Sequence, residues 1–179
     1  MARSVPRYHR GAGVEGKLHL IIGPVGAGKS TFARALCRKH RAAPLILDDW
    51  MAQLFGADER PKTRRIEWYL ERRDRCLEQI WKLTAALCEV GTPVVLEIGL
   101  IRRDERAAFY QRIDDAGYAL SVYVLDAPRE VRRERVMRRN EEQGETFAQI
   151  VPLEFFELAS DMWEPPDDEE ASERAIHFL

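Results

Sequence analysis

Short, continuous apolar runs alternate along this chain with longer stretches in which apolar residues return every three or four positions. The runs lack the polar alternation of a half-exposed sheet, so they read as strands buried on both faces. Leu18-His19-Leu20-Ile21-Ile22 predicts a first strand over 17–22, and Thr31-Phe32-Ala33-Arg34-Ala35-Leu36 a helix continuing to about residue 38 or 40. Pro44-Leu45-Ile46-Leu47 predicts a second strand, which runs into Asp48-Asp49 and a short helix over 50–55 with Asp49 as its N-cap. A polar loop follows at 56–62. Apolar positions at Ile66, Tyr69, Leu70, Leu77, Ile80, Trp81 and Leu87, with Thr84 in the same series, then predict one long amphipathic helix over 63–90, or two in series, stopped by Gly91.

Pro93-Val94-Val95-Leu96-Glu97-Ile98 predicts a third strand, 104–116 a helix ending at Gly117, and 118–125 a fourth strand. Pro128 suits the first turn of a helix over 129–139. A loop at 143–151, a short helix at 152–162, an acidic turn at 165–170 and a last strand at 175–179 complete the chain. Strands alternating with helices predict an α/β sandwich with a five-stranded, mainly parallel sheet. Residues 1–16 read as a flexible, basic N-terminal tail and 17–179 as the folded domain.

Composition narrows the function classes. A chain of 179 residues, 45% hydrophobic and 32% charged, is one globular domain with enough length for a core. A net charge of −2 exerts no global pull on nucleic acid or anionic membranes. No apolar run approaches a membrane span, and the start of the chain lacks the apolar core of a signal peptide. Cys37, Cys76 and Cys88 have no metal-ligand spacing and sit in helical stretches, so buried reduced thiols and a cytoplasmic location are expected. A monomer or weak dimer is expected.

The chemistry centres on Gly23-Pro24-Val25-Gly26-Ala27-Gly28-Lys29-Ser30-Thr31, which fits G-x-x-x-x-G-K-[ST] between a strand and a helix. Glycines at 23, 26 and 28 let the loop turn with its N–H groups pointing inward, and the helix adds its own unpaired N–H groups and positive dipole end. Lys29 is then expected at the β- and γ-phosphates of ATP and the Ser30 hydroxyl on Mg²⁺. In a parallel sheet ligands lie beyond the carboxyl ends of the strands. Those ends carry Asp48-Asp49, Glu97 and Asp126; Asp49 and Asp126 read as helix caps, Asp48 and Glu97 as functional.

The class of P-loop protein follows partly by elimination. No N-K-x-D guanine motif is present, the third strand ends in Glu97-Ile98 rather than Asp-Glu, and the Gly28-Lys29-Ser30 ending is not a dinucleotide loop. A small kinase needs a phosphate cradle, a Mg²⁺ ligand, a carboxylate for the acceptor hydroxyl and an arginine-rich lid. Asp48 is the candidate base. The helix at 129–139 carries Arg129, Arg132, Arg133, Arg135, Arg138 and Arg139, of which two or three are expected to be solvated or acid-paired; Arg135 and Arg139 are the candidates for the transferred phosphoryl group.

The same motifs carry a resemblance. With Leu47-Asp48-Asp49-Trp50-Met51, Val94-Val95-Leu96-Glu97-Ile98-Gly99, Leu125-Asp126-Ala127-Pro128, Arg135-Val136-Met137-Arg138-Arg139-Asn140 and Glu164-Pro165-Pro166-Asp167-Asp168-Glu169, the chain resembles small bacterial P-loop kinases of the AAA-domain type over roughly 17–170. These are relatives of chloramphenicol phosphotransferase, zeta toxin and the polynucleotide kinase domain. The resemblance implies an α/β, three-layer P-loop NTPase fold, nucleotide-kinase-like, with the sheet in the order 2-3-1-4-5, and makes 17–179 the P-loop kinase-like domain with a lid region at about 129–151. It also implies that Gly28, Lys29, Ser30 and Thr31 hold phosphates and Mg²⁺, and that Asp48 activates the acceptor. Polynucleotide kinases carry arginines where this chain has Met51 and the stretch Asn140-Glu141-Glu142-Gln143, so a nucleic-acid partner is not expected. The expected function is ATP-dependent transfer of phosphate to a hydroxyl of a small molecule lying near Asp48, Trp50 and Glu97, with water-mediated Mg²⁺ contact from either acid. Trp68 is a further packing candidate. A regulatory NTPase acting on a protein partner, and a nucleic-acid 5′-hydroxyl kinase, are the alternatives.

Overall fold

The computed structural model describes residues 17–144, 147 and 150–179. The N-terminal tail expected at 1–16, and part of the loop expected at 143–151, lie outside the described residues. Five strands, β1 (Lys17–Ile22), β2 (Ala43–Ile46), β3 (Val94–Glu97), β4 (Ala119–Val124) and β5 (Ile176–Phe178), form one sheet in the order β2-β3-β1-β4-β5. Every pairing is parallel, so the sheet expected to be mainly parallel is wholly so. The register sets Leu20 beside Leu96 and Ile46 beside Glu97, which aligns the carboxyl ends of β1, β2 and β3.

Side chains that alternate along the strands divide the core into two layers. Leu18, Leu20 and Ile22 of β1, with Val94 and Leu96 of β3, face the long helix α3 (Arg65–Glu89) and α4 (Arg103–Ala116). Ile21, Val95 and Ile46 face the opposite way, onto Ala33 and Leu36 of α1 (Lys29–His40). The stretch 63–90 is thus a single helix, and its buried stripe is Cys76, Ile80, Thr84 and Cys88, while Ile66 and Leu70 are exposed. All three cysteines are free thiols. No helix among the described residues is long and apolar enough to cross a membrane.

Three local expectations are corrected. Helix α2 (Leu47–Phe55) begins directly after β2, so Asp49 lies within its first turn, beside Asp48, and is not its N-cap. The favourable interaction of both acids with the helix dipole explains their place there. Asp126 does not cap the next helix, α5 (Arg129–Glu142), which follows Pro128; its carboxylate accepts from Trp163 Nε1 at 3.2 Å instead. The acidic turn continues into a short helix, α7 (Asp168–Glu173), after α6 (Leu153–Asp161). Asp167 caps α7 by accepting from the Glu170 N–H at 2.9 Å, and Asp168, Glu169 and Glu170 fill its first turn.

The C-terminal segment is tied to the body by a buried ion pair. Arg106, wholly buried on α4, donates from Nε and Nη2 to the two oxygens of Glu170 at 2.7 and 2.9 Å. Tyr110 donates to the same carboxylate at 2.9 Å, and Arg106 Nη1 reaches the Glu164 carbonyl at 2.8 Å. Both charges are therefore neutralised and hydrogen-bonded, the condition under which burial is tolerated. Removing one partner strands the other. Arg106→Met is expected to lower stability by about 3–5 kcal/mol, and adding Glu170→Met to recover most of that loss, in denaturant titrations at neutral pH. Equal losses in the single and double variants would show that shape, not charge pairing, holds this segment.

Candidate active site

The loop between β1 and α1 is shaped first by its protein neighbours. At Gly23, with φ 148°, a Cβ would stand 2.0 Å from the Leu125 carbonyl oxygen, because the exit of β4 crosses there. At Gly26 a Cβ would stand 2.6 Å from the Arg132 carbonyl oxygen of α5. These two glycines are needed for the close approach of backbone to backbone, not only to free N–H groups for a ligand. Arg132 completes the contact: Nη1 donates to the Val25 carbonyl at 3.0 Å and the Ser160 hydroxyl at 3.1 Å, and Nε to the Ala127 carbonyl at 2.9 Å.

Lys29, the first residue of α1, turns back over its own loop and donates from Nζ to the carbonyls of Gly23 and Pro24, each at 2.9 Å. Beside it the Ser30 hydroxyl donates to Glu97 Oε1 at 3.3 Å. Glu97 ends β3 and is only 7% exposed, and its Oε2 is buried without a hydrogen-bond partner. Asp48, in the first turn of α2, lines the same cavity with its side chain exposed.

The three groups perturb one another. Burial lowers the Lys29 pKa, and Glu97 and then Asp48 oppose that shift. Burial raises Asp48, opposed by Lys29 and Arg139. It also raises Glu97, with Lys29 opposing and Asp48 reinforcing. Tyr69 of α3 is pushed up to about 12, by burial and then by the charge of Asp48, so its phenol stays a donor at neutral pH.

These groups share a cavity of about 730 Å³ at the carboxyl rim of the sheet, a size that suits a nucleotide-scale ligand. Of the expected residues, Val25, Gly26, Gly28, Lys29, Ser30, Thr31, Asp48, Glu97, Arg135 and Arg139 line it, whereas Gly23, Pro24 and Ala27 are buried behind the loop. Trp50 does not reach this cavity; one step of helix away from Asp49, it lines a separate depression with Gln53 and Leu54. Trp68 lies under the Arg72 guanidinium, 3.9 Å from its carbon. Half of the α5 arginines are structural. Arg129 and Arg133 pair with Glu157, Arg129 also with Asp161, and Arg132 braces the loop.

Tyr69, Ile101, Arg138, Val151 and Phe155 also line the cavity. The sequence signal for them is slight. Tyr69 stands in the apolar series of α3 and Arg138 in the arginine series of α5, and nothing in either series distinguishes a wall residue from a core or surface one.

The chain belongs to the AAA domain family, whose model matches residues 18–165. No curated protein matches the sequence. The fold is that of a candidate kinase from Chloroflexus aurantiacus, with a TM-score of 0.72 at 18% identity over 94% of this chain and 86% of that one. Kti12 of Chaetomium thermophilum, solved with ADP-AlF3, is similar at a TM-score of 0.65 and 17% identity, covering 90% and 88%. A chain of the Pnkp1/Rnl/Hen1 RNA repair complex matches at a TM-score of 0.61 and 24% identity over 84% of this chain. This chain spans 45% of the length of that one.

The unpaired Glu97 carboxylate has a measurable signature. With its pKa raised, the folded chain retains a proton that the unfolded chain releases, so stability from this group falls as pH rises through the interval above the ordinary carboxylate value. Glu97→Gln removes that dependence. In metal-free buffer the variant is expected to match the native chain at about pH 5 and to be the more stable of the two at about pH 8, read from denaturant titrations. A variant less stable at both pH values would mean that the Ser30 contact, rather than desolvation, governs this carboxylate.

Proposed function

We propose that this chain is a nucleotide-dependent phosphotransferase that moves the γ-phosphoryl group of ATP to a hydroxyl of a small molecule. The observation that carries the reading is the shared cavity in which the glycine loop and Lys29 face Asp48, Glu97 and the α5 arginines. The fold shared with a candidate kinase and the AAA domain family supports it.

Each residue has a role in that reading. Phosphate oxygens are stronger acceptors for the Lys29 ammonium than the two carbonyls it now caps, so the side chain is poised to exchange them for the β- and γ-phosphates. Ser30 and Glu97 offer the hydroxyl and carboxylate oxygens that a hard divalent cation takes, and the unpartnered Glu97 Oε2 leaves a position for one. Mg²⁺ held there, with water-mediated help from Asp48, would neutralise phosphate charge. Arg135 and Arg139 bring cations to the transferred group from α5.

The acceptor oxygen bonds to the γ-phosphorus as the bond from that phosphorus to the β–γ bridging oxygen breaks. The hydroxyl proton passes to Asp48 and ADP leaves. Burial makes Asp48 more basic than an exposed carboxylate, which suits late proton acceptance. A nucleic-acid acceptor is disfavoured because Met51, where polynucleotide kinases resembling this chain carry an arginine, is buried in the core.

Lys29→Ala is expected to weaken ATP binding and turnover, checked by calorimetry and ADP release. Asp48→Asn is expected to leave ATP binding nearly intact while transfer falls by roughly 10²-fold or more. Unchanged transfer in Asp48→Asn would make the carboxylate structural. Free phosphate as the sole product, at a rate set by a protein partner, would favour a regulatory NTPase, for which the exposed Leu158 of α6 and Met162 just after it supply apolar surface.

A further inference from the structure

The charges around the cavity are distributed unevenly. Its cations are Lys29 at the start of α1 and Arg135, Arg138 and Arg139 on α5, where Glu142 is the one acid on that side among the described lining residues. The opposing wall comes from α2, α3 and the segment after β3, and it presents Asp48 and Glu97, the Tyr69 phenol, and the side chains of Leu47 and Ile101. Among the described residues, the arginines nearest that wall in the chain are committed elsewhere. Arg73 donates to Glu105 at 2.6 Å, and Arg72 lies over Trp68 with Asp58 3.5 Å away. Arg102 pairs with Asp104, Arg103 with Asp167 and Glu169, and Arg106 with Glu170. Arg139, whose Nε is buried without a hydrogen-bond partner, acts on Asp48 from the α5 side and is assigned in the proposed reading to the transferred phosphoryl group.

Resting on the phosphotransferase reading, we infer that the acceptor is a hydroxyl compound without phosphate, sulfate or carboxylate, uncharged or amine-bearing, with an apolar face. An anion against this wall would lose its hydration beside two carboxylates, and among the described residues no cation of α2, α3 or the segment after β3 lines the cavity to replace the water. An uncharged hydroxyl compound meets no such opposition. Its hydroxyl donates to Asp48, a second oxygen accepts from the Tyr69 phenol, and its carbon face packs on Leu47 and Ile101. An amine gains further from the field of the two acids. The donor half of the cavity takes the anionic substrate and the acceptor half rejects one, so the two substrates sort themselves by charge.

The test uses matched pairs that differ by one phosphate: glucosamine and glucosamine 6-phosphate, myo-inositol and its 1-phosphate, kanamycin and its 3′-phosphate. Binding is measured by ligand-observed NMR on the full chain saturated with Mg²⁺ and AMPPNP. The unphosphorylated member is expected to bind at least about tenfold more tightly in each pair that binds. A phosphorylated member that binds equally or better, or a panel in which nothing binds, overturns the inference. Ile101→Arg, which adds a cation to this wall, is expected to remove about tenfold of the preference; an unchanged preference would place the discrimination elsewhere and also overturn it. Nucleotide affinity, measured on the same samples and on Lys29→Ala, keeps the two readings apart. Loss of nucleotide binding in the native chain defeats the phosphotransferase reading, whereas intact nucleotide binding without the charge preference defeats only this one.

Discussion

Three ionisable side chains drawn out of bulk water at one rim of the sheet set the terms for the rest of this structure. Lys29, Asp48 and Glu97 are each pushed by burial towards the neutral form and held towards the charged form by an opposite neighbour. Glu97, the buried member of the three, would be the costly one to keep there alone. The strand order makes the grouping automatic. Because β3 lies between β2 and β1, the carboxyl ends of three adjacent parallel strands deliver Asp48, Glu97 and the glycine loop side by side.

A site of this kind needs a rigid frame, and much of that frame is backbone. The exit of β4 presses on Gly23 and α5 on Gly26, so the phosphate loop is held from outside. Helix α5 divides its arginines between two tasks. Arg129, Arg132 and Arg133 fasten it to α6 and the loop, and on the next turns Arg135, Arg138 and Arg139 reach the cavity. The arginine-rich helix expected to act as a lid is therefore anchored over its first half. Motion that closes the cavity would have to come from beyond it.

The sheet and its order were legible because each strand is a continuous apolar run and each crossover a helix-period stretch. The glycine loop was legible because its chemistry is tied to a fixed spacing. Helix caps were less so: Asp49 and Asp126 are cap-type residues in cap-like places, yet the backbone starts one helix earlier and the other later. Helix α7 was hidden by its acids, which favour its first turn but give no apolar period. The acceptor wall was the hardest part. Around α2, Met51 faces the core, Leu47 lies between core and cavity, Asp48 faces the cavity and Trp50 a different depression, so neighbouring residues take unrelated roles. Only the rotation of the helix decides among them, and the sequence does not state it.

This contrast has a physical origin. In the proposed reading the donor half would recognise phosphate through backbone N–H groups and one lysine, so its requirements fall on a contiguous stretch. The proposed acceptor half is assembled from side chains on α2, α3 and the segment after β3, and that segment is held from far along the chain. The Ile101 carbonyl accepts from the Glu164 N–H at 3.0 Å, the Glu164 carboxylate accepts from the Arg103 N–H at 2.7 Å, and Arg106 locks the whole to Glu170. The acidic C-terminal stretch thus shapes the wall that the proposal assigns to an acceptor. On that reading, divergence there would alter what the site accepts while leaving the glycine loop intact.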